Sequence, residues 1–153
     1  MTGVQTCALP ICRELGIGIT AYGVLSRGLI GGNWKPGASA EELGPFRAHS
    51  PRFAGANAEA NAAMVERLGQ VAAGLGLSPA QAAIAWVAAQ GDDIVPVVGA
   101  RTRVRLAEAV AAMKGALGAD GVAAIEAAVP RDAVAGERYA AQQMAMLDSE
   151  KTT

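Results

Sequence analysis

Two short apolar runs constrain the fold of this chain more than anything else in it. GIGITA (residues 16–21) and DIVPVV (residues 93–98) are dense in β-branched side chains, and each reads as a buried strand. The sequence between them has helical periodicity instead of a hairpin turn. Pairing of the two strands is therefore expected to be parallel, through a right-handed crossover. Parallel sheets are normally covered on both faces and rarely stop at two strands. The arrangement reads as part of a larger α/β barrel.

The helices follow from spacing and caps. Met64, Val65, Leu68, Val71 and Leu75 fall at helical intervals and predict an amphipathic helix over about residues 57–75. Gly76 stops it. Ser78 is a favourable N-cap, Pro79 suits the first helical position, and Gln81 completes a capping box for a helix running to about Ala89. Further helices are expected over residues 102–113, 119–129 and, at the end, 136–147. A glycine-rich stretch at residues 23–32 leads into a long irregular loop through Trp34, Pro36, Pro45 and Pro51. Loops beyond about 12–15 residues are usually lids or disordered segments.

Composition narrows the class. At 52% hydrophobic the chain has ample material for a core, which excludes disorder as its main state. Aromatics are only 4%, and alanine and glycine dominate, favouring helices with small packing faces. A net charge of −1 leaves no global basic field for nucleic acid or an anionic membrane. Cys7 and Cys12 lie too near each other and the start to staple a fold, which excludes a disulfide-built secreted domain. No apolar run suggests a transmembrane helix or signal peptide, so the cytoplasm is the expected compartment. One histidine and two early cysteines do not make a metal site.

The opening MTGVQTCALPI (residues 1–11) shows no helical or strand period. It resembles the translation of a sequencing-library adapter joined in frame. Residues 1–11 are expected to be a non-native leader, and residues 12–153 the protein proper.

Two segments carry candidate chemistry, each directly after a strand, where α/β folds place ligands. In AYGVLSRGL (residues 21–29), Gly23 and Gly28 permit close backbone approach, Ser26 offers a hydroxyl and Tyr22 a flat ring. The segment suits a planar ring and a phosphate; equally, it is a strand-ending turn with a core tyrosine. In VGARTRVRLAEA (residues 98–109), Gly99 ends the strand and a helix opens, where backbone N–H groups attract anions. Arg101 and Arg105, four apart, can share a face and fork onto a phosphate, or form a solvated face with Glu108. The arginines have no aromatic stacking platforms beside them, which argues against nucleic acid. Trp34, Phe46 and Phe53 either close over a ligand or anchor the long loop, and Trp86 reads as core packing.

Taken together, GIGITAYGVLSRGL, SPRFAGANAEAN and QAAIAWVAAQGDDIVPVVGARTRVRLAEA resemble the C-terminal half of an aldo-keto reductase, from about Cys12 to the end. The resemblance implies a portion of a (β/α)8 barrel, about strands seven and eight with their helices and a C-terminal helical extension. It implies NADPH as cofactor. Tyr22 would stack on the nicotinamide, while Gly23, Leu25, Ser26 and Gly28 would line the pyrophosphate. Gly99, Arg101 and Arg105 would hold the adenosine 2′-phosphate, and Glu108 would approach the adenine. Many members have Asn after that glutamate, where this chain has Ala109. The family's catalytic Asp, Tyr, Lys and His stand on earlier strands with no counterpart here. His49 cannot be assigned to that tetrad, and no catalytic residue is assigned.

The function so implied is NADPH-dependent reduction of aldehydes or ketones, with a small carbonyl compound as partner and neither nucleic acid nor membrane. An alternative is a non-catalytic nucleotide-binding regulatory subunit on the same barrel, like the potassium-channel β subunits. The chain by itself is expected to carry the cofactor-binding part without turnover, and to associate through uncovered sheet edges and helix faces.

Overall fold

The computed structural model describes residues 3–32, 34–115 and 117–147. The two predicted strands pair in parallel: β1 (Ile19–Ala21) lies beside β2 (Ile94–Pro96), with Ile19 opposite Ile94 and Ala21 opposite Pro96. Both are shorter than the runs that announced them. Gly16 turns the chain with φ +64° before β1, and just past β2 the Val97 N–H still bonds to the Ala21 carbonyl at 2.8 Å. Nor are they buried as expected, because strand residues alternate between half-buried and exposed. Ile17, Val95 and Val97 are each at least half exposed, for α4 covers β2 while much of the sheet surface stays open.

The helices behave better. Helix α3 (Gly55–Gly74) presents Ala58, Asn61, Met64, Leu68 and Ala72 as a continuous buried stripe at intervals of three and four. Leu75 falls just past its end and is largely exposed. Helix α4 (Pro79–Ala88) begins with the full capping box, Ser78 accepting from the Gln81 N–H and the Gln81 side chain from the Ser78 N–H. It buries Ala80, Ala82, Ala83, Ile84 and Ala85, and the small side chains let it pack closely on α3. Helices α5 (Arg103–Ala111) and α6 (Ala119–Ala128) follow, α5 against α4 and α6 against both α3 and α4.

Two apolar clusters result. One joins Leu29, Leu43, Phe53 and Met64 under the long loop; the other joins Leu68, Ala72, Ala82 and Ile125 among the helices, and Val129 packs against both. Trp86 lies against the second cluster, with its indole N–H donating to Glu126 at 3.3 Å.

Three expectations need correction. The opening, read as lacking any period, forms most of helix α1 (Gly3–Glu14), whose end is tied by Arg13 to Asp93 at 3.1 Å and to the Gln90 carbonyl at 3.0 Å. The long loop contains α2 (Ala40–Arg47), capped reciprocally by Ser39 and Glu42 and kinked at Gly44, and a single 3₁₀ turn at Pro51–Phe53. At the other end, only α7 (Ala141–Met144) of the expected terminal helix is helical. Residues 136–139 form a non-helical strap, in which the Gly136 and Arg138 carbonyls accept from the Arg52 and Arg27 side chains and Gly136 takes φ +83°.

Candidate functional site

The loop leaving β1 builds the site. Gly23 and Gly28 take φ +79° and +85°, and between them Ser26 (φ 45°) and Arg27 (φ 59°) also lie in the left-handed region. That conformation costs a side-chain-bearing residue of order 1 kcal/mol, so something must hold it. The Arg52 guanidinium donates to Ser26 Oγ at 3.1 Å. Arg27 lies over two rings, 4.6 Å from the centre of Phe46 and 4.4 Å from that of Tyr139, and donates to the Arg138 carbonyl at 3.2 Å.

A cavity of about 290 Å³ opens beside this loop. Tyr22, Gly23, Ser26 and Arg27 line it from the loop, Ser50, Arg52 and Phe53 from the segment around the 3₁₀ turn, and Arg138 and Tyr139 from the strap. Three guanidinium groups and no carboxylate are among its lining residues, with Glu137 acting on Arg52 from outside the lining. Burial, and then repulsion from Arg138 and Arg27, pull Arg52 below the usual arginine range. Tyr22 is 77% exposed, leaving its ring open, and its hydroxyl meets that of Tyr139 at 3.0 Å. That bond splits the pair. Tyr139 is held below the ordinary phenol range by the bond and by Arg27 and Arg138, while Tyr22 is pushed above it by the bond, the neighbouring Tyr139 charge and burial.

A second, smaller hollow of about 30 Å³ shares Leu25 of this loop and is lined also by Gly99, Arg105, Glu108 and Ala109. Glu108 is fixed from α4: Ser78 Oγ donates to its carboxylate at 2.5 Å, and the Gln81 amide donates to its carbonyl at 3.3 Å. Thr102 caps α5 by accepting from the Arg105 N–H at 3.3 Å.

The candidates from the sequence thus fall into two groups around one loop. Tyr22, Gly23 and Ser26 meet at the larger cavity; Leu25, Gly99, Arg105 and Glu108 meet at the smaller. Gly28 lines neither, its missing side chain facing the Arg47 guanidinium. Arg101 is exposed in the turn before α5 and also lines neither. His49 is exposed just after α2. Of the loop aromatics, Phe53 is buried with Trp34 edge-on to it at 5.1 Å, while Phe46 is exposed beneath Arg27. Sequence reasoning missed Arg27, Arg52, Ser50, Arg138 and Tyr139. Arg27 stood inside a segment already singled out, and Arg52 inside the SPRF motif, but nothing local ties Tyr139 to Tyr22.

No group of three or more His, Cys, Asp or Glu able to hold a metal occurs among the described residues. No single helix among them is long and apolar enough to cross a membrane.

The aldo/keto reductase family model matches residues 4–130. Among solved structures, the chain resembles a glycerol dehydrogenase from Gluconobacter oxydans, with a TM-score of 0.71 and 24% identity. The match covers 84% of this chain and 38% of that one, so the chain spans well under half the length of this structural relative. The likeness identifies the fold as part of a (β/α)8 barrel.

Proposed function

This chain belongs to the aldo/keto reductase family, and from that premise we propose that it supplies the NADPH-binding region of an oxidoreductase that reduces aldehydes or ketones. The observation that carries the reading is the loop after β1. It contributes Ser26 and Tyr22 to a cavity lined by three arginines, and Leu25 to a hollow with Gly99, Arg105 and Glu108. The donor set fits a dinucleotide phosphate: an open aromatic face for a planar ring, guanidinium groups for a pyrophosphate, and an arginine beside a carboxylate for a phosphorylated adenosine.

In this reading Tyr22 receives the nicotinamide, while Gly23, Ser26 and Gly28, with Arg27 and Arg52, bind the pyrophosphate. Arg105 takes the 2′-phosphate with Gly99 and Arg101 near it, and Glu108 approaches the adenine. The bound cofactor supplies the hydride, and the protein supplies orientation and charge. The substrate is a small carbonyl compound, and the compartment is the cytoplasm. No general acid is assigned among these residues. The two tyrosines bond to each other and face arginines, and neither is set against the lysine and aspartate that the family's acid requires.

The test is the affinity of 2′-phospho-AMP, measured calorimetrically. Losing a charge-assisted phosphate contact costs about ten- to a hundredfold, so Arg105→Ala should weaken 2′-phospho-AMP by that much while leaving AMP almost unchanged. Arg101→Ala should cost less, since Arg101 stands outside the hollow. Equal losses for both nucleotides would show that Arg105 supports the fold instead.

A further inference from the structure

The C-terminal strap lines the cavity with Arg138 and Tyr139, and Tyr139 touches the one ring that most needs holding. Tyr22 is 77% exposed, so little packing fixes its ring. Its side-chain hydrogen bond is to Tyr139, 117 positions away, at 3.0 Å. Tyr139 is in turn held by Arg27, whose guanidinium lies 4.4 Å from its ring centre and bonds to the Arg138 carbonyl beside it. Arg52 donates to the Gly136 carbonyl and fastens the start of the strap.

We propose that Tyr139 is a positioning residue of the dinucleotide site, holding the Tyr22 ring as a pre-set platform for the nicotinamide. The proposal rests on the reading above, in which Tyr22 receives that ring. An exposed aromatic that must stop moving when a ligand arrives loses rotamer freedom, and anchoring it beforehand removes that cost from binding. Tyr139 does this from the hydroxyl end, leaving the Tyr22 face open. The same contact makes the C-terminal strap part of the cofactor site. The charged groups facing the pair are Arg27 and Arg138, with Arg52 and Glu137 acting on the same cavity.

The chain contains two tyrosines, both in this pair, so phenolate absorbance against pH reads the pair alone. In the full chain, one step should fall below and one above the usual tyrosine value of about 10. In Tyr139→Phe a single step should return toward that value. Two ordinary phenols in the unaltered chain would overturn the proposal.

Binding of reduced nicotinamide mononucleotide and of 2′-phospho-AMP then separates positioning from general support. Tyr139→Phe keeps the ring under Arg27 and removes only the hydroxyl. It should weaken the nicotinamide mononucleotide by about two- to tenfold, the range of one hydrogen bond, and leave 2′-phospho-AMP unchanged. Tyr22→Ala should weaken the mononucleotide at least as much. If Tyr22→Ala does so and Tyr139→Phe does not, the role of Tyr139 is wrong and the site reading stands. If neither variant affects the mononucleotide, the site reading falls and the proposal falls with it.

Discussion

Asn61 is fully buried in the middle of α3, and both ends of its amide bond to backbone. Its Nδ2 donates to the carbonyls of Arg52 and Ala135, each at 2.9 Å, and its Oδ1 accepts from the Ala135 N–H at 2.9 Å. One side chain thus joins α3, the turn carrying Arg52 and the segment leading to Tyr139. Asn61→Ala would leave buried backbone groups without partners, and should cost about 2–4 kcal/mol of unfolding free energy. Denaturant unfolding measures that cost, and faster amide exchange at Ala135 would locate it; a change below about 0.5 kcal/mol would remove Asn61 from this role. In the sequence Asn61 is one more polar residue in an alanine-rich helix, at a position the apolar spacing skips. Tyr22, Ser26 and Arg105 stand near a strand end or a helix start, where local chemistry marks them as candidates, whereas Glu108, further along α5, is a candidate only through the family resemblance. Arg52 and Tyr139 were not, because their partners are 26 and 117 positions distant. No local pattern encodes such pairs.

At the scale of elements, the start of α4 does two jobs with one hydroxyl. Ser78 Oγ accepts from the Gln81 N–H at 3.2 Å and donates to Glu108 at 2.5 Å, so the helix cap also fixes the Glu108 carboxylate. Ser78→Ala should destabilise the chain by about 1–3 kcal/mol, combining a lost cap with a lost hydrogen bond to a charged group. It should also weaken AMP binding. Ser39 caps α2 in the same reciprocal manner on an exposed surface, with no such second partner among the described residues. Ser39→Ala is therefore expected to cost about 0.5–1 kcal/mol, the ordinary worth of a cap. Thermal or denaturant midpoints of the two variants compare them directly, and equal costs would mean that the Glu108 contact contributes nothing. The capping box of α4 was read from Ser78, Pro79 and Gln81, and the structure has it. The same signal stands at Ser39 and Glu42, but Gly44 and Pro45 break the helical pattern within two turns and obscure it. The strand positions and parallel pairing were legible from β-branched runs, but their lengths were not. Ladder length depends on what flanks a strand, and here the outer edges lack further strands among the described residues.

For the whole molecule, the core is concentrated beneath the long loop and among α3, α4 and α6, while other apolar surface stays open. Val104, Leu106 and Val110 on α5, and Val95 and Val97 along β2, are each more than half exposed. Apolar faces and open strand edges of this kind favour association. Light scattering after size exclusion should give a mass that rises with concentration above the 15.4 kDa of one chain. A constant mass of one chain at every concentration would show that these faces are not sticky enough to matter. Both hollows beside the loop after β1 are lined by described residues. The most direct test is a calorimetric titration of the chain with NADPH and with NADH under the same conditions. The account predicts that NADPH binds at least about tenfold more tightly, because only NADPH brings a phosphate to Arg105. Equal affinities, or binding of neither, would contradict it.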